Sequence, residues 1–570
     1  MFNFPSIAGD ARYSEDLFGG NLLAPRGELL GEGSYAEAVE YLGVTGLRFP
    51  GGSLTEYSFD LSNPDAETAY DVRSGQEVPM IGLSDFMAYA EDAGQPVTIV
   101  VPTRTQLSVE TDANGDRIAN INEDELREFI RDVAAGEYGS AEIQAIEIGN
   151  EYWGSGEMNA VEYGRLASEM ATIVNDELSL ASNFTTDIVV QKGNNFSHSR
   201  LSDEYQDVSS EDVISDLNEK YGTEFGEDAL FASGSVNWGY VNTKLVLSSF
   251  DTELEKEAVD GVVTHIYSRG EENESTRYFD LDQINDTWVE DIPGIEVYIT
   301  EWNLKSTPGL DRDEDYGLYQ AQEMLQIMEE FGRTGVDKAH VWPLVQDTRN
   351  ALAEGMEFES ATPSGEMFAL MSETLPGKVL LNFQAGHRDT ESEFGDVSVH
   401  MFAGEDELAI YVLNGSKDSA ATADIDFSGL ISSYDVSDIL VLGVEDDVSP
   451  GSNNSRPVVE EVEPSVMEDG TLEASLNPGE IMQVTLSDII PTDGFSETWL
   501  LANSGDPFSS DVASEDDHMN DIPDVPILET DDEERSEDFD SALEDDDMLS
   551  GLGWAGGLLL LLATGAVGFG

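Results

Sequence analysis

Three consecutive segments decide the fold: VTIVVP (97–102), EDELREFIRDVAA (123–135) and AIEIGNE (145–151). The first and the third are almost continuously apolar, which is typical of strands that are buried on both faces. The second places apolar residues at positions i, i+3, i+4 and i+7, which predicts an amphipathic helix. A buried strand, a helix and a second buried strand indicate one unit of a parallel α/β fold.

The same alternation continues along the chain on both sides of this unit. Six further strand-like runs occupy positions 17–23, 44–50, 187–191, 261–267, 297–302 and 339–344. Helical patterns separate them, for example at 162–178 and 316–332, and a last helix is expected near 365–375. Eight β/α units predict a (β/α)8 TIM barrel over residues 1–376, with an insertion from 193 to 241 that covers its mouth.

A different pattern begins at residue 377. Runs such as ELAIYVLNGS (407–416) and GEIMQVTLS (479–487) have the period of strands and are separated by turn signals. They predict an antiparallel β-sandwich over residues 377–490. Residues 491–550 lose this periodicity and are acidic, so we expect a disordered linker there.

The charge balance of the chain is extreme. Its 570 residues include 26 Lys and Arg against 117 Asp and Glu, a net charge of −91. Such a chain lacks the basic clusters that neutralise phosphates, which excludes a nucleic-acid binder. Residues 511–550 hold 18 acids against the single Arg535, so most of the charge lies on the rest of the chain. A surface of this kind is soluble and suits high ionic strength.

The two ends of the chain bear on its location. The start, MFNFPSIAGD, lacks the basic residues and apolar run of an ordinary signal peptide, so either the sequence is partial or export uses another signal. Residues 551–570 are uncharged, contain LLLLL and are about as long as a bilayer span. A membrane anchor, a removable sorting peptide and a truncated end all fit this segment. We expect an extracellular or cell-surface protein, with membrane contact through residues 551–570.

The strand ends predict the active site, because a (β/α)8 barrel builds it from residues at the carboxyl ends of its strands. Those residues include Asn21, Arg48, Asn150, Glu151, His265, Tyr267, Glu301, Trp302 and Trp342. Glu151 and Glu301 follow the fourth and seventh strands, which face each other across the barrel. Two carboxyl groups held about 5–5.5 Å apart are what retaining hydrolysis of a glycosidic bond requires.

Such a pair needs one ionised and one protonated carboxyl group, and no cysteine or cofactor takes part. The chain has 6 His and no Cys, which leaves carboxylates as its main catalytic resource. Arg48 and Tyr267 can stabilise an ionised nucleophile by charge and by a hydrogen bond. Burial beside a negative partner favours the protonated form of the other group. Asn150 offers an amide to a sugar hydroxyl. The aromatic faces on which a sugar ring can lie are those of Trp153, Trp302 and Trp342.

Four motifs resemble those of the clan A glycoside hydrolases: LRFPGG (47–52), IEIGNE (146–151), THIYS (264–268) and ITEWN (299–303). The resemblance is to the family 51 α-L-arabinofuranosidases in particular, with families 39 and 79 as neighbours. It covers residues 17 to about 350. It implies a barrel with a trailing β-sandwich, retaining O-glycosidase activity, a carbohydrate substrate and no cofactor.

The resemblance also implies roles for individual residues. Glu151 matches the acid/base position after strand four, and Glu301 matches the nucleophile that ends strand seven. The residues that match the positions orienting the nucleophile and binding substrate are Arg48, His265, Tyr267 and, on strand eight, Trp342. The sequence departs from the pattern at Tyr152, where many members of the clan have Pro, and at Ser53, where family 51 commonly has Asn. The clan is therefore better determined than the family or the sugar.

One segment outside the strand ends resembles a calcium loop. In DANGDRIANINE (112–123) the loop positions that supply ligands include Asp112, Asn114, Asp116 and Glu123. Arg117 stands where the tight turn requires Gly. The alternative is a hairpin about the Asn114–Gly115 turn, and the sequence favours the hairpin.

Two functions follow as hypotheses. The first is a retaining glycosidase that acts on extracellular polysaccharide, with arabinofuranosidase activity ahead of xylosidase, glucuronidase and endo-acting relatives. Because a negative surface repels acidic chains at low salt, neutral sugars rank above them as substrates. The second is a surface protein that binds carbohydrate on a glycosidase-like barrel without cleaving it.

Overall fold

The computed structural model describes residues 2–504, apart from positions 10, 24–28, 182–184, 385–386, 396, 465–466 and 469. Most of the expected acidic linker and the whole of the apolar segment 551–570 therefore lie outside the described residues. In the described part of the chain, no helix is both long enough and apolar enough to cross a membrane.

Eight parallel strands close into a barrel, in the order in which they follow one another along the chain. They are β1 (Gly19–Asn21), β2 (Leu47–Phe49), β3 (Val97–Val101), β4 (Ile143–Ile148), β5 (Asp187–Gln191), β6 (Gly261–Ser268), β7 (Glu296–Leu304) and β8 (Lys338–Val341). Each strand lies within or overlaps one of the eight predicted runs. The predicted TIM barrel is therefore confirmed.

Helices surround the barrel and form the crossovers between its strands. They are α1 (Tyr35–Leu42), α2 (Leu54–Ser58), α3 (Leu83–Ala93), α4 (Glu123–Ala135), α5 (Ala160–Leu180), α6 (Ser210–Tyr221), α7 (Trp238–Leu247), α8 (Glu253–Lys256), α9 (Phe279–Ile284), α10 (Gly317–Thr334) and α11 (Pro363–Thr374). Local sequence sets their ends. The longest, α5, begins at a capping box in which Asn159 accepts from the backbone N–H of Glu162 while the Glu162 side chain accepts from Asn159.

The interior of the barrel changes from apolar to polar along the strands. Its apolar layer consists of Ala145, Val189, Val263 and Tyr298. The residues two positions further along the same four strands are polar: Glu147, Gln191, His265 and Thr300. All four of these side chains are buried. The buried polar layer marks the carboxyl end of the barrel as the place where charged groups are held.

A C-terminal region of antiparallel sheets follows the barrel. Its strands are β9 (Val379–Asn382), β10 (Ser392–Phe394), β11 (Val397–Gly404), β12 (Glu407–Leu413), β13 (Ala421–Asp426), β14 (Ile431–Val444), β15 (Pro457–Glu461), β16 (Met467–Glu468), β17 (Thr471–Leu476) and β18 (Ile481–Pro491). The larger sheet has the order β9, β11, β12, β18, β14 and β15, with β10 beside β11 and the N-terminal strand Ser6–Ile7 beside β9. A second sheet, β13–β17–β16, contributes Ile425 and Leu472 to the same apolar core.

A short helix, α12 (Ser496–Ala502), extends this region beyond the last strand. It lies inside the stretch that the sequence assigned to the linker. Trp499 and Phe495 are buried in the core of the sheets, and the Arg12 guanidinium donates to the carbonyl of Ala502 at 2.9 Å. These apolar side chains give the segment enough buried surface to stay folded, although the residues around it are acidic.

The larger sheet packs against helices α10 and α11 of the barrel through polar contacts as well as apolar ones. Gln322 on α10 donates to the carbonyls of Asn414 and Gly479 at 3.0 and 2.9 Å. His400 on β11 contacts Glu329 on α10, with 2.8 Å between Nδ1 and Oε1. Buried polar contacts of this kind must keep their partners, which fixes how the sheet is seated on the barrel.

The segment that resembles a calcium loop is a hairpin, as the sequence favours. Antiparallel strands Leu107–Thr111 and Arg117–Ala119 pair with each other. Among the ligand candidates, Asp112 contacts Arg165 at 2.8 Å and Asp116 accepts from Asn159 at 2.9 Å. The remaining two are also engaged elsewhere: the Asn114 amide donates to the carbonyl of Lys220, and Glu123 forms an ion pair with Arg127.

Candidate active site

A cavity of about 450 Å³ opens at the carboxyl ends of the barrel strands. This volume lies in the range of small-molecule sites. The residues that line its catalytic wall include Glu151, His265, Tyr267 and Glu301. The insertion 193–241 contributes Asn194, Phe196 and Phe231 to another wall. The insertion therefore borders the mouth of the barrel, in agreement with its predicted place.

The two predicted catalytic carboxylates face the same space. Glu151 follows β4 in a left-handed conformation with φ 43°, and Glu301 lies in β7. One carboxylate oxygen of each and one ring nitrogen of His265 all lie within 4.8 Å of one another. This is the short separation that a retaining pair needs, since an inverting pair leaves room for a water molecule between the carboxyl groups.

Glu301 is held at both of its carboxylate oxygens. The Arg48 guanidinium donates to Oε1 at 3.0 Å, and the Tyr267 hydroxyl donates to Oε2 at 2.8 Å. Burial and the charges of Glu301 and Glu151 raise the pKa of Tyr267 well above its ordinary value, so the phenol keeps the proton that it donates. Glu301 is thereby fixed in one orientation, with a positive charge and a hydrogen-bond donor beside it.

Arg48 acts behind the pocket and does not touch it. Its guanidinium has partners on every nitrogen: Glu147 at 2.7 and 2.9 Å, Asn150 at 2.8 Å, Asn21 at 2.9 Å and Glu301 at 3.0 Å. Asn21 in turn donates to the carbonyl of Thr300 at 2.8 Å. The prediction that Asn21 and Arg48 bind substrate is therefore corrected. Both side chains are fully buried and do not line the cavity, so they position Glu301.

Glu147 is a residue of the candidate site that sequence reasoning missed. It lies four residues before Glu151 and is fully buried. Its two oxygens accept the fork of donors from Arg48, and Oε1 also accepts from the Thr300 hydroxyl at 3.3 Å. The available signal was the motif IEIGNE itself, in which an acid interrupts an apolar strand and so needs a buried cation as partner.

His265 bridges the two predicted catalytic carboxylates. Its Nδ1 lies 3.1 Å from Glu151 Oε1 and 3.5 Å from Glu301 Oε2, while its Nε2 lies 3.2 Å from the Thr300 hydroxyl. Burial by itself lowers the pKa of His265, but the charge of Glu301 and the contact with Glu151 raise it above its ordinary value. A charged imidazole between two acids neutralises part of their mutual repulsion.

A second missed acid, Glu56 on α2, supports the loop that carries Glu151. It is buried and accepts from the backbone N–H groups of Asn150, Thr103 and Arg104 at 2.9, 2.9 and 2.7 Å. Burial raises the pKa of Glu56, and these hydrogen bonds act in the opposite direction. Asn150 is thereby anchored by its backbone while its side chain faces Arg48 and the lining of the cavity.

The three tryptophans predicted to support a sugar ring differ in whether they reach the cavity. Trp153 and Trp342 line the cavity, and the Trp153 ring meets His265 edge-on at 6.0 Å between centroids. Trp302 does not reach the cavity, which corrects its predicted role. It is fully buried on the outer side of β7 and packs against Phe331 and Phe368 of α10 and α11.

The group formed by Glu151, His265 and Glu301 has the residue types of a metal site. The donors around it favour a different chemistry, because both Glu301 oxygens already accept hydrogen bonds from Arg48 and Tyr267. A cation at this point would also lie close to the Arg48 charge. The arrangement instead suits two carboxyl groups that act on opposite sides of one reacting carbon.

No family model matches the chain, and no curated protein matches it in sequence. Solved structures do match its fold. An α-L-arabinofuranosidase from Thermotoga maritima superposes with a TM-score of 0.56 over 86% of this chain and 98% of its own, at 17% sequence identity. A family 51 α-L-arabinofuranosidase from Bifidobacterium longum matches with a TM-score of 0.52 over 85% and 100% of the two chains, at 16% identity.

A xyloglucanase of family 44 from Paenibacillus polymyxa is similar at a TM-score of 0.50, with 11% identity over 85% of this chain and 98% of its own. Identities this low speak for the fold alone. The chain therefore has the barrel-and-sheet fold of the clan A glycoside hydrolases, the group that its strand-end motifs resemble.

Proposed function

We propose that this protein is a retaining O-glycosidase. The observation that carries the proposal is the pair Glu151 and Glu301, which line an open cavity and have one carboxylate oxygen each within 4.8 Å of the other. A water molecule that attacks from the far side of the sugar needs carboxyl groups about 6.5–9.5 Å apart. The observed spacing supports direct attack by one carboxylate.

The surroundings of the two carboxylates assign their roles. The Glu301 side chain is 6% exposed and is held by Arg48 and Tyr267, as a nucleophile that must meet one carbon atom should be. The Glu151 side chain is 23% exposed and contacts His265. Its exposure gives it access to solvent, which an acid that must exchange its proton requires.

The reaction then proceeds in two displacements. Glu301 attacks the anomeric carbon while Glu151 protonates the departing glycosidic oxygen, and a glycosyl ester forms on Glu301. Glu151 next removes a proton from water, which attacks the same carbon and releases the sugar with its original configuration. His265, between the two carboxylates, offsets the change in their charges during both steps.

Replacement of the nucleophile tests this proposal. Glu301→Gln should lower turnover of aryl glycosides by at least about 10³-fold, because the amide cannot form the glycosyl ester. Azide should restore turnover in Glu301→Gly and yield a product of inverted configuration. Glu142→Gln removes an exposed acid just before β4 and is the matched control. Unchanged turnover in Glu301→Gln would contradict the assignment, and binding of glycans without hydrolysis by the wild-type protein would favour a non-catalytic role.

Arabinofuranoside is the first substrate to test, because two of the fold matches are α-L-arabinofuranosidases and the sequence motifs resemble that family. Xylosides, glucuronides and intact polysaccharides complete the screen. The aromatic walls at Trp153 and Trp342 support a sugar ring of either size. A panel of nitrophenyl glycosides at high and low salt identifies the sugar directly.

We also propose that the enzyme acts outside the cell and that residues 551–570 hold it at a membrane. The proposal rests on the apolar composition of this segment, which is long enough for a bilayer span. Expression of the full chain and of a chain ending at residue 550, followed by membrane fractionation, tests it. Equal recovery of both in the soluble fraction would contradict it.

A further inference from the structure

A carboxylate in the wall of the cavity is held from behind by a buried cation. Asp280 lies in α9 and lines the cavity. Lys192 follows β5, is buried, and donates to Asp280 Oδ1 at 2.5 Å and to Gln283 Oε1 at 3.2 Å. The Asp280 side chain is 33% exposed, and its Oδ2 accepts no hydrogen bond from the residues that the structure describes. One oxygen is therefore fixed, and the other is free to accept a hydrogen bond from a ligand.

Asn194 presents an amide to the same cavity. It lies two residues beyond Lys192, and its backbone is fixed at both ends. Its N–H donates to the Tyr152 hydroxyl at 2.8 Å, and its carbonyl accepts from the Ser199 hydroxyl at 2.5 Å. The hydrogen bonds that Asn194 forms with described residues all use its backbone. Its side chain can therefore both donate a hydrogen bond and accept one.

Two aromatic rings accompany these polar groups. Phe279 directly precedes Asp280, and Phe231 belongs to the insertion 193–241. Both line the cavity, and their ring centroids lie 6.3 Å apart. A sugar ring has C–H groups on its faces and hydroxyl groups at its edge. Aromatic side chains beside a carboxylate and an amide therefore match the two kinds of surface that a sugar presents.

Contacts with the loop after β4 place this wall beside the proposed acid, Glu151. Tyr152 and Trp153 directly follow Glu151. The Tyr152 hydroxyl accepts from Asn194, and the carbonyl of Trp153 accepts from the backbone N–H of His198 at 2.8 Å. An acid must contact the oxygen atom that it protonates. The group that leaves with this oxygen therefore lies against the residues attached to the Glu151 loop.

We propose that Asp280 and Asn194 bind hydroxyl groups of the sugar that departs when the glycosidic bond breaks. This inference rests on the proposed glycosidase function and names the class of its leaving group, a second sugar. The Asp280 carboxylate accepts a charge-assisted hydrogen bond, the stronger kind. Lys192 touches no substrate in this arrangement and acts as a positioning residue for Asp280.

A comparison of two leaving groups on one sugar tests the proposal. The nitrophenyl glycoside with the highest turnover is compared with an oligosaccharide that carries the same sugar at its non-reducing end, for example an arabinoxylan oligosaccharide or xylobiose. The nitrophenyl group has no hydroxyl for Asp280 or Asn194 to bind. Asp280→Asn should lower the ratio of kcat/KM for the oligosaccharide to kcat/KM for the nitrophenyl glycoside about 10- to 100-fold. Asn194→Ala should lower the same ratio about 3- to 10-fold.

A matched control separates this effect from the loss of an ion pair. Asp291→Asn removes an acid that pairs with Lys244 and does not line the cavity, and it should leave the ratio at its wild-type value. A wild-type ratio in folded Asp280→Asn would overturn this inference while leaving the glycosidase function intact. If Asp280→Asn does not fold, the ratio in Asn194→Ala decides in the same way. Absence of hydrolysis of every nitrophenyl glycoside and glycan would overturn the proposed function and this inference with it.

Discussion

At the scale of single residues, the site depends on a buried cation that touches no substrate. Arg48 joins strands β1, β2, β4 and β7 through its partners, and two of these partners, Glu147 and Glu301, are acids. Burial alone lowers the pKa of Arg48, but the two acids raise it above its ordinary value. The single positive charge of Arg48 is thus shared by Glu147 and by Glu301, the proposed nucleophile, so the position of Glu301 depends on Glu147.

Glu147→Gln tests this dependence. The glutamine amide keeps the shape of the Glu147 side chain but removes its charge, so Glu301 is the one close anion left to Arg48. Breaking a buried ion pair such as Arg48–Glu147 typically costs about 3–5 kcal/mol of stability. We expect a clear fall in melting temperature and a fall in kcat/KM of about 10- to 100-fold, because Glu301 shifts with Arg48. Thermal unfolding and turnover of the same samples measure both effects. Glu142→Gln is again the control, and wild-type values for Glu147→Gln would show that the network is dispensable.

At the scale of elements, an irregularity between β6 and β7 shapes the cavity wall that carries His265 and Glu301. Thr264 pairs with Ile299 and His265 pairs with Glu301, so Thr300 has no partner in the register. A strand normally turns successive side chains to opposite faces, and a bulge relaxes this rule. As a result both Thr300 and Glu301 reach the buried network around His265, while Trp302 turns outward.

The loop after β2 and the end of β8 form another part of the wall by close contact. Gly52 has φ +58°, and a Cβ added to it would lie 2.5 Å from the Trp342 ring. The absence of a side chain at this position therefore sets where the aromatic ring lies.

Gly52→Ala should displace the Trp342 ring and lower kcat/KM by about 10-fold or more. Gly222→Ala, at the end of α6, is a matched control, because Gly222 has φ +71° and a Cβ there would meet nothing within 4 Å. Both substitutions should cost about 1–2 kcal/mol of stability from the left-handed backbone. Steady-state kinetics separate them, and equal kinetic effects would show that Trp342 does not position the substrate.

At the scale of the whole molecule, the barrel and the larger sheet are joined by a charged contact. His400 is buried between Glu329 and the Ser398 hydroxyl, with 2.8 and 2.9 Å to its two nitrogens. Burial by itself lowers the pKa of His400, but Glu329, with smaller effects of Glu391 and Glu393, raises it above its ordinary value. The contact therefore favours the charged imidazole in the folded protein.

The sign of the pH dependence follows from this shift. When folding raises the pKa of a group, the group stabilises the folded protein fully at pH values below its pKa in the unfolded state, which is about 6.5 for histidine. This stabilisation is lost as the pH rises through the pKa of the group in the folded state. The melting temperature of the wild type should therefore exceed that of His400→Gln most at acid pH, and the difference should shrink above neutrality. His198→Gln, at an exposed site, is the control, and a difference that does not vary with pH would contradict the prediction.

The acidic surface also belongs to this scale. Ion pairs hold many of the described basic residues, whereas 117 acids are spread over the chain. Most of these acids carry no chemistry, and they govern solubility and salt response. Strand position, and not abundance, distinguishes Glu151 and Glu301 from the rest.

Local sequence patterns determined the barrel and the strand-end positions of Glu151 and Glu301, the pair that we propose as catalytic. Apolar runs of strand length and helices of period 3.6 depend on neighbours within a few turns, so they can be recognised without tertiary contacts. The carboxyl ends of the strands then follow from the fold, and with them the places of Glu151 and Glu301. Helix α12 was missed because acids lie near its buried Trp499 and the buried Phe495 that precedes it.

Only the tertiary structure decided which strand-end residues face the cavity. Strands of a parallel barrel are buried on both faces, so their sequence carries no alternation that marks the inner side. In the structure Trp302 lies on the outer side of its strand, and Asn21 and Arg48 position Glu301 from behind the cavity. Glu147 is part of the same buried network. The bulge at Thr300 arises from contacts between strands that are distant in sequence, and such contacts exist only once the barrel has closed.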